Sequence, residues 1–137
     1  MPKVKLQDGS KGLVQSSGSG VFLDNNTQAV TSGAADAVII SASAGSVVVV
    51  TSADANNMVH LPDASAGDLI GQMFVIQNSS AVAFELRGFA EATQLLNGAA
   101  GGANVEMAIP ANTTIIAVNV SATSWAIIGT GTPSVAS

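Results

Sequence analysis

The apolar positions of this chain are concentrated after Ala37 and follow the patterns of β-strands. Two runs rich in β-branched residues, AVIISA at 37–42 and VVVVTS at 47–52, are separated by Ser43-Ala-Gly-Ser. β-Branched side chains favour strands, and a short connection that contains glycine favours a tight turn. The two runs are therefore predicted to form a β-hairpin.

Further strand-like segments follow at intervals of about ten residues. They are the run 58–61, then MFVIQN at 73–78, AVAFEL at 81–86, VEMAI at 105–109, TTIIAVNV at 113–120 and WAII at 125–128. Pro62 ends the first of them, because proline cannot donate a hydrogen bond to a sheet. Short strands at this spacing predict an all-β fold over residues 37–137, an antiparallel β-sandwich or jelly-roll-like barrel.

Alternation in the later segments assigns side chains to opposite faces of a sheet. One face is predicted to carry Val82, Phe84 and Leu86, and in a later strand Val105, Met107 and Ile109. In the segment 113–120, Ile116, Val118 and Val120 face one way, and Ile115, Ala117 and Asn119 face the other. Because both faces of this last strand are apolar, we expect a contact surface in addition to the core.

Residues 1–36 differ in composition from the body, residues 37–137, and are predicted to form an extended N-terminal arm. Nine of them are large and apolar, too few for a core, and they show no sustained strand or helix period. Their apolar residues form small clusters suited to grooves on a partner. The residues predicted to bind a partner are Lys3, Lys5, Lys11, Leu13, Val14, Val21, Phe22 and Leu23.

Charge is scarce and unevenly distributed along the chain. There are 9 acidic and 4 basic residues, which give a formal net charge of −5, and Arg87 is the single basic residue of the body. So acidic a body would repel phosphate, and nucleic acid is therefore not expected as a partner. The sequence shows no signal peptide and no apolar run long enough to span a membrane, so we expect neither secretion by that route nor a membrane partner.

The sequence offers little catalytic chemistry. Cysteine is absent, which excludes disulfides, thiolate zinc sites and cysteine nucleophiles. The single histidine, His60, lies in the run 58–61, where a structural role is expected. Asp54, Asp63 and Asp68 are too scattered for an EF-hand, and a weak calcium site at these residues stays open. We therefore predict no catalytic residues, no metal site, no cofactor and no enzymatic activity.

Three segments resemble a small β-domain of virion proteins from tailed bacteriophages. They are Leu61-Pro62-Asp63-Ala64-Ser65, Gly71-Gln72-Met73-Phe74-Val75-Ile76-Gln77-Asn78-Ser79-Ser80 and Thr123-Ser124-Trp125-Ala126-Ile127-Ile128. In that family, which includes tail fibres, tail spikes, head fibres and capsid decoration proteins, the first segment opens a loop, the second is a strand and the late tryptophan closes the sheet. Strand and turn chemistry in any β-sandwich also accounts for these residues, and the resemblance defines no catalytic residue.

The resemblance, with a short all-β chain and a coreless arm, implies a capsid decoration or cement protein. Such a protein would bind the major capsid protein on the outer surface of the phage head and stabilise it, after assembly in the bacterial host cytoplasm. Ala- and Val-rich strand faces with few charges predict a homotrimer. The alternative is a tail-fibre or head-fibre module that binds a host-surface glycan, although the sequence has neither heptads nor repeats and is only 4% aromatic.

Overall fold

The computed structural model describes residues 26–34, 38–66, 70–89, 93–98, 105–129 and 134–135. Within these residues the chain forms eleven β-strands and no helix, which confirms the predicted all-β fold. The strands are β1 (Thr27–Thr31), β2 (Val38–Ile39), β3 (Val47–Thr51), β4 (Met58–His60), β5 (Met73–Asn78), β6 (Phe84–Arg87), β7 (Leu95–Leu96), β8 (Val105–Ile109), β9 (Thr114–Ser121), β10 (Ser124–Ile128) and β11 (Ser134–Val135).

The strands form two sheets, each of which contains parallel and antiparallel pairs. Sheet A has six strands in the order β1-β3-β5-β9-β10-β7, and sheet B has five in the order β11-β8-β6-β4-β2. In sheet A, β1, β3 and β5 run parallel to one another, and in sheet B the same holds for β2, β4 and β6. The prediction of a purely antiparallel fold is therefore wrong.

The parallel pairs arise because the chain changes sheet after each of its first eight strands. Thr27 is in register with Val47, 20 residues later, and Val47 is in register with Val75, 28 residues later. The chain thus places one strand in each sheet and then returns to the first sheet, where the next strand lies beside the earlier one. Strands joined in this way meet in parallel, because a parallel pair needs a long crossover connection rather than a tight turn.

The predicted hairpin between AVIISA and VVVVTS is wrong for the same reason. β2 pairs with β4, whereas β3 pairs with β1 and β5, so the two runs belong to different sheets. The Gln28 side chain holds the connection between them: its Nε2 donates to the carbonyls of Ser41 (2.8 Å) and Gly45 (2.7 Å). Gly45 has a φ of 140°, and a Cβ there would collide with the carbonyl oxygen of Asn26. This segment is therefore shaped as a crossing and not as a hairpin turn.

The inner faces of the two sheets supply one hydrophobic core. Its fully or almost fully buried strand residues are Val48, Val50, Phe74, Ile76, Leu96, Ile115, Ala117, Trp125 and Ile127 from sheet A, and Val59, Phe84, Leu86, Val105, Met107 and Ile109 from sheet B. The alternation predicted for residues 105–109 and 113–120 is confirmed, since every second residue there is buried and faces the core. The ring centroids of Phe74 and Trp125 lie 5.9 Å apart, within the range of favourable aromatic pairs.

The range 1–36, predicted as an arm, includes β1. This strand pairs with β3 along all five of its residues, so sheet A begins no later than Thr27. The eight residues predicted to bind a partner, from Lys3 to Leu23, lie outside the described residues. The name arm is therefore used below for residues 1–25 only.

Two Phe→Ala substitutions test the position of the core. Phe84→Ala should lower the free energy of unfolding by about 3–5 kcal/mol, because the Phe84 ring is completely buried and its removal leaves a cavity. Phe89→Ala is the matched control and should cost less than about 0.5 kcal/mol, because Phe89 is 43% exposed. Chemical denaturation followed by circular dichroism measures both, and equal losses would contradict the assignment of the core.

Candidate functional site

Most of the side chains of sheet A that point away from the core form a second surface, named here the outer face. They alternate with the buried residues along each strand. The outer face consists of Thr27, Ala29, Thr31, Val47, Val49, Thr51, Met73, Val75, Gln77, Thr114, Ile116, Val118, Val120, Ala126 and Ile128. Ten of these fifteen residues are apolar, and none carries a charge.

The apolar side chains of the outer face are neighbours across the sheet. Thr27, Val47, Val75, Ile116 and Ile128 are successive register partners and form one row across five strands. Side chains opposite one another on adjacent strands are close enough to pack together. The row ends at Ile128, whose side chain is 59% exposed. The outer face is thus a continuous apolar patch, which is typical of protein interaction sites.

The charged side chains of the described residues lie elsewhere. Glu85 and Arg87 on β6 and Glu106 on β8 alternate with core residues, so they lie on the side of sheet B that faces away from the core. Asp54 and Asp63 lie in loops. The two sheets therefore present chemically different outer surfaces, one uncharged and one with an ion-pair cluster.

The ion-pair cluster is compact and almost buried. The Arg87 Nη2 atom lies 2.8 Å from Glu85 Oε2 and 2.6 Å from Glu106 Oε2. The side chains of Arg87 and Glu106 are each 11% exposed, and that of Glu85 is 16% exposed. Arg87 and Glu106 are register partners, so the contact joins β6 to β8 at the side-chain level. One guanidinium group thus forms ion pairs with two carboxylates that have little contact with solvent.

This arrangement affects the titration of Glu106. Burial raises the pKa of the Glu106 carboxyl above its ordinary value, and the neighbouring Glu85 carboxylate raises it further, while Arg87 opposes both effects. Both carboxylates contact the same Arg87 nitrogen and lie on a sheet surface. The geometry therefore describes a cluster that holds two strands together.

His60 on β4 lies beside the ion-pair cluster, in register with Arg87 on β6. It is 3% exposed, and its Nδ1 lies 3.0 Å from the carbonyl oxygen of Gly88. A carbonyl oxygen only accepts hydrogen bonds, so Nδ1 carries a proton and donates it. This histidine is therefore tied to the backbone, which fits the structural role expected for it.

The loop that opens with Leu61-Pro62 is held by side-chain hydrogen bonds. Asp63 Oδ1 accepts from the backbone N–H (2.9 Å) and the hydroxyl (2.7 Å) of Ser65 and from Nε2 of Gln94 (2.6 Å). These hydrogen bonds lower the pKa of the Asp63 carboxyl, the Ser65 hydroxyl having the largest effect. Asp63 therefore serves as the anchor of a turn.

The candidate calcium ligands are not brought together as a site within the described residues. Asp54 Oδ1 accepts from the backbone N–H of Asn56 (2.9 Å). Asp63 Oδ1 accepts from the backbone N–H of Ser65 within a separate turn. Asp68 lies outside the described residues. In the part of the chain that the structure describes, no three histidine or acidic side chains are grouped so that they could hold a metal ion.

Much of the outer face was not assigned from the sequence. Val47 and Val49 belong to a run of four valines that shows no alternation, and such a run reads as buried on both sides. One sequence feature does indicate part of the outer face: both faces of the segment 113–120 are apolar, which predicts a contact surface in addition to the core. The outer face extends that surface from β9 to β1, β3, β5 and β10.

The chain matches no protein-family model, no curated protein and no solved structure. Within the described residues, no helix has the length and apolarity needed to cross a bilayer. Functional inference therefore starts from the outer face, the ion-pair cluster and the residues that carry the resemblance.

The pH dependence of stability tests the ion-pair cluster. Because the folded-state pKa of Glu106 lies above its unfolded value, its contribution to stability falls as pH rises from the unfolded value through the folded one. Glu106→Gln removes this titration and keeps an oxygen for Arg87. Relative to the original chain, the variant should therefore gain stability as the pH is raised from about 4, near the unfolded pKa of a glutamate, toward neutrality. Urea denaturation of both proteins across this range measures the difference, and a difference that does not change with pH would contradict the assignment.

Proposed function

We propose that this chain is a structural virion protein of a tailed bacteriophage, a capsid decoration protein that binds the major capsid protein and stabilises the head. The observation that carries the proposal is the outer face of sheet A, an apolar and uncharged surface on a chain of net charge −5. Surfaces of this kind are typical of protein–protein contacts. The resemblance of residues 61–65, 71–80 and 123–128 to phage virion domains supports the type of assembly.

For the architecture, we propose a β-sandwich made of sheet A and sheet B. Side chains from the inner faces of both sheets belong to one buried cluster, in which Phe74 and Trp125 come from sheet A and Phe84 from sheet B. Sheets that share a core in this way pack face to face. The outer face and the ion-pair cluster then lie on opposite sides of the sandwich.

The occupant proposed for the outer face is a second copy of the chain, within a homotrimer. Copies with a net charge of −5 repel one another through their carboxylates, and the outer face carries none. Burial of apolar surface there favours association by about 25 cal/mol per Å². The outer face is therefore the surface on which copies meet at the smallest electrostatic cost.

To hold copies of the chain together, the outer face would need further contacts because of its small area. Five strands about 4.8 Å apart, with five residues of about 3.3 Å each, cover about 400 Å². A stable interface buries about 800 Å² on each partner. The outer face would supply about half of that, and the apolar clusters of the arm, at 13–14 and 21–23, are proposed to supply the rest on neighbouring copies and on capsid protein.

The alternative, a fibre module that binds a host glycan, finds less support. Sugar-binding surfaces commonly use exposed aromatic side chains. Among the described residues Phe89 is the single exposed aromatic, and Trp125 is fully buried in the core. A tail-fibre module would differ from a decoration protein in its location on the particle, tail instead of head, and antibody labelling of virions distinguishes these two locations.

Two Ile→Glu substitutions test the proposed contact between copies. Light scattering after size-exclusion chromatography should give about three times the subunit mass of 13.5 kDa for the unchanged chain. Ile128→Glu should lower that mass, because it places a carboxylate on the row that crosses the outer face. Ile39→Glu is the matched control, since Ile39 is 46% exposed on sheet B, and it should leave the mass unchanged. A single-subunit mass for the unchanged chain at micromolar concentration would refute the homotrimer.

Removal of residues 2–25 tests the arm. The truncation ends before β1, so sheet A keeps its edge strand and the circular dichroism of the β-body should be retained. Attachment to undecorated capsids, measured by cosedimentation, should be lost, because the apolar clusters of the arm are proposed to supply most of the affinity. If the truncated chain saturates capsids at the original affinity, the arm is not the docking element.

Gold-labelled antibodies against the purified chain, applied to virions, distinguish the two locations. Label on heads is the expected result. Label confined to tails would refute a decoration protein and favour the tail-fibre alternative, and the absence of label from particles would refute both proposals.

A further inference from the structure

Three polar side chains lie next to one another on the inner face of sheet A. Gln72 directly precedes β5, and its backbone carbonyl accepts from the N–H of Asn119 on β9 (2.9 Å). Asn119 is in turn the register partner of Trp125 on β10. Gln72, Asn119 and Trp125 therefore form one row across three adjacent strands, at one end of the hydrophobic core.

Each member of the row has one buried polar atom without a hydrogen-bond partner among the described residues. These atoms are Gln72 Oε1, Asn119 Oδ1 and Trp125 Nε1. Asn119 is 1% exposed and Trp125 is completely buried. Gln72 as a whole is half-buried, but its Oε1 atom is buried like the other two atoms. The row thus combines two buried acceptors and one buried donor, and buried polar atoms are costly unless they are paired.

The orientation of both amides is fixed by their nitrogen atoms. Gln72 Nε2 donates to the carbonyl of Ala42 (2.6 Å), and Asn119 Nδ2 donates to the carbonyl of Ala64 (3.2 Å). If either amide were rotated to exchange its oxygen and nitrogen, two oxygens would face each other and this hydrogen bond would be lost. The two carbonyl oxygens of the side chains are therefore available as acceptors within the row.

We propose that this row is a binding site for one internal water molecule. The water would donate to Gln72 Oε1 and Asn119 Oδ1 and would accept from the indole N–H of Trp125. Three hydrogen bonds are typical of a buried water in a protein. The site would link β5, β9 and β10 to one another, and through Asn119 and Ala64 to the loop that begins with Leu61-Pro62.

The chemistry of the three atoms selects water over an ion. A cation would be attracted by the two amide oxygens but repelled by the indole N–H, and there is no carboxylate in the row. An anion would be repelled by the two oxygens. Nearby, the ring of Phe74 packs against Trp125 with a centroid distance of 5.9 Å and offers no polar atom. A small molecule that both donates twice and accepts once fits this set, and water is the smallest.

The single tryptophan of the chain makes the proposal directly measurable. In the ¹⁵N-labelled full-length protein, the indole Nε1–H gives one resonance, which reports on the site. We expect a cross-peak between this proton and water, with opposite signs in the NOE and ROE experiments, as a long-lived bound water gives. We also expect slow exchange of the indole hydrogen with solvent, because the group is buried.

Two Gln→Met substitutions complete the test. Gln72→Met removes one acceptor of the row and should reduce the indole–water cross-peak at least twofold. Gln77→Met, on the same strand but on the outer face, is the matched control and should leave the cross-peak unchanged. The measurement on the unchanged chain decides the question even if Gln72→Met does not fold.

Three results would overturn the proposal. Slow exchange of the indole hydrogen without a water cross-peak would show a dry site, and fast exchange would show an opening to bulk solvent. A cross-peak that Gln72→Met leaves at its original intensity would place the water elsewhere. None of these outcomes depends on the proposed function in the virion.

Discussion

The architecture depends on buried side-chain amides that replace backbone hydrogen bonds where strands end. A chain that changes sheet after each of its early strands leaves N–H and C=O groups inside the protein, and such groups are almost always paired. Asn78, completely buried at the end of β5, donates to the carbonyl of Ile109 (3.1 Å) and so joins sheet A to sheet B. Gln28, 8% exposed, donates to the carbonyls of Ser41 (2.8 Å) and Gly45 (2.7 Å) in the crossing between β2 and β3. The crossings are thus held by neutral groups.

This use of amides explains why so few charges suffice. Neutral amides satisfy the polar groups of the interior without the desolvation cost of buried ions. The described charges are left to one ion-pair cluster on sheet B and to loops, and Arg87 is shared by two carboxylates. No charged side chain is therefore needed on the outer face of sheet A to pair with a buried charge. Uncharged β-branched residues can occupy that face instead. The use of neutral amides in place of charged groups inside the fold is thus consistent with the uncharged surface proposed for association.

Local pattern predicts the elements of this fold but not their partners. Alternation places Phe84, Leu86 and Met107 correctly, because the side-chain direction in a strand depends only on the residues next to it. Strand pairing depends on contacts distant in sequence. The Gln28 side chain contacts Ser41, 13 residues away, and no local signal marks that contact. The glycine-containing segment before β3 therefore resembles a hairpin turn in the sequence and is a crossing in the structure. The internal polar row escapes prediction likewise, since its members come from three strands.

The balance of free energies determines how the outer face can act in the proposed assembly. Two thirds of the outer-face residues are apolar, so burial of about 270 Å² of apolar surface would contribute about 7 kcal/mol. Association costs an estimated 4–15 kcal/mol in lost freedom before any contact is counted. On these figures, copies that met through the outer face alone would associate only weakly. In the proposed assembly, contacts from the arm would decide whether the complex persists, because each additional apolar cluster would shift a nearly balanced equilibrium. Under this proposal the strands would supply the contact surface and the arm would determine whether copies stay together on it.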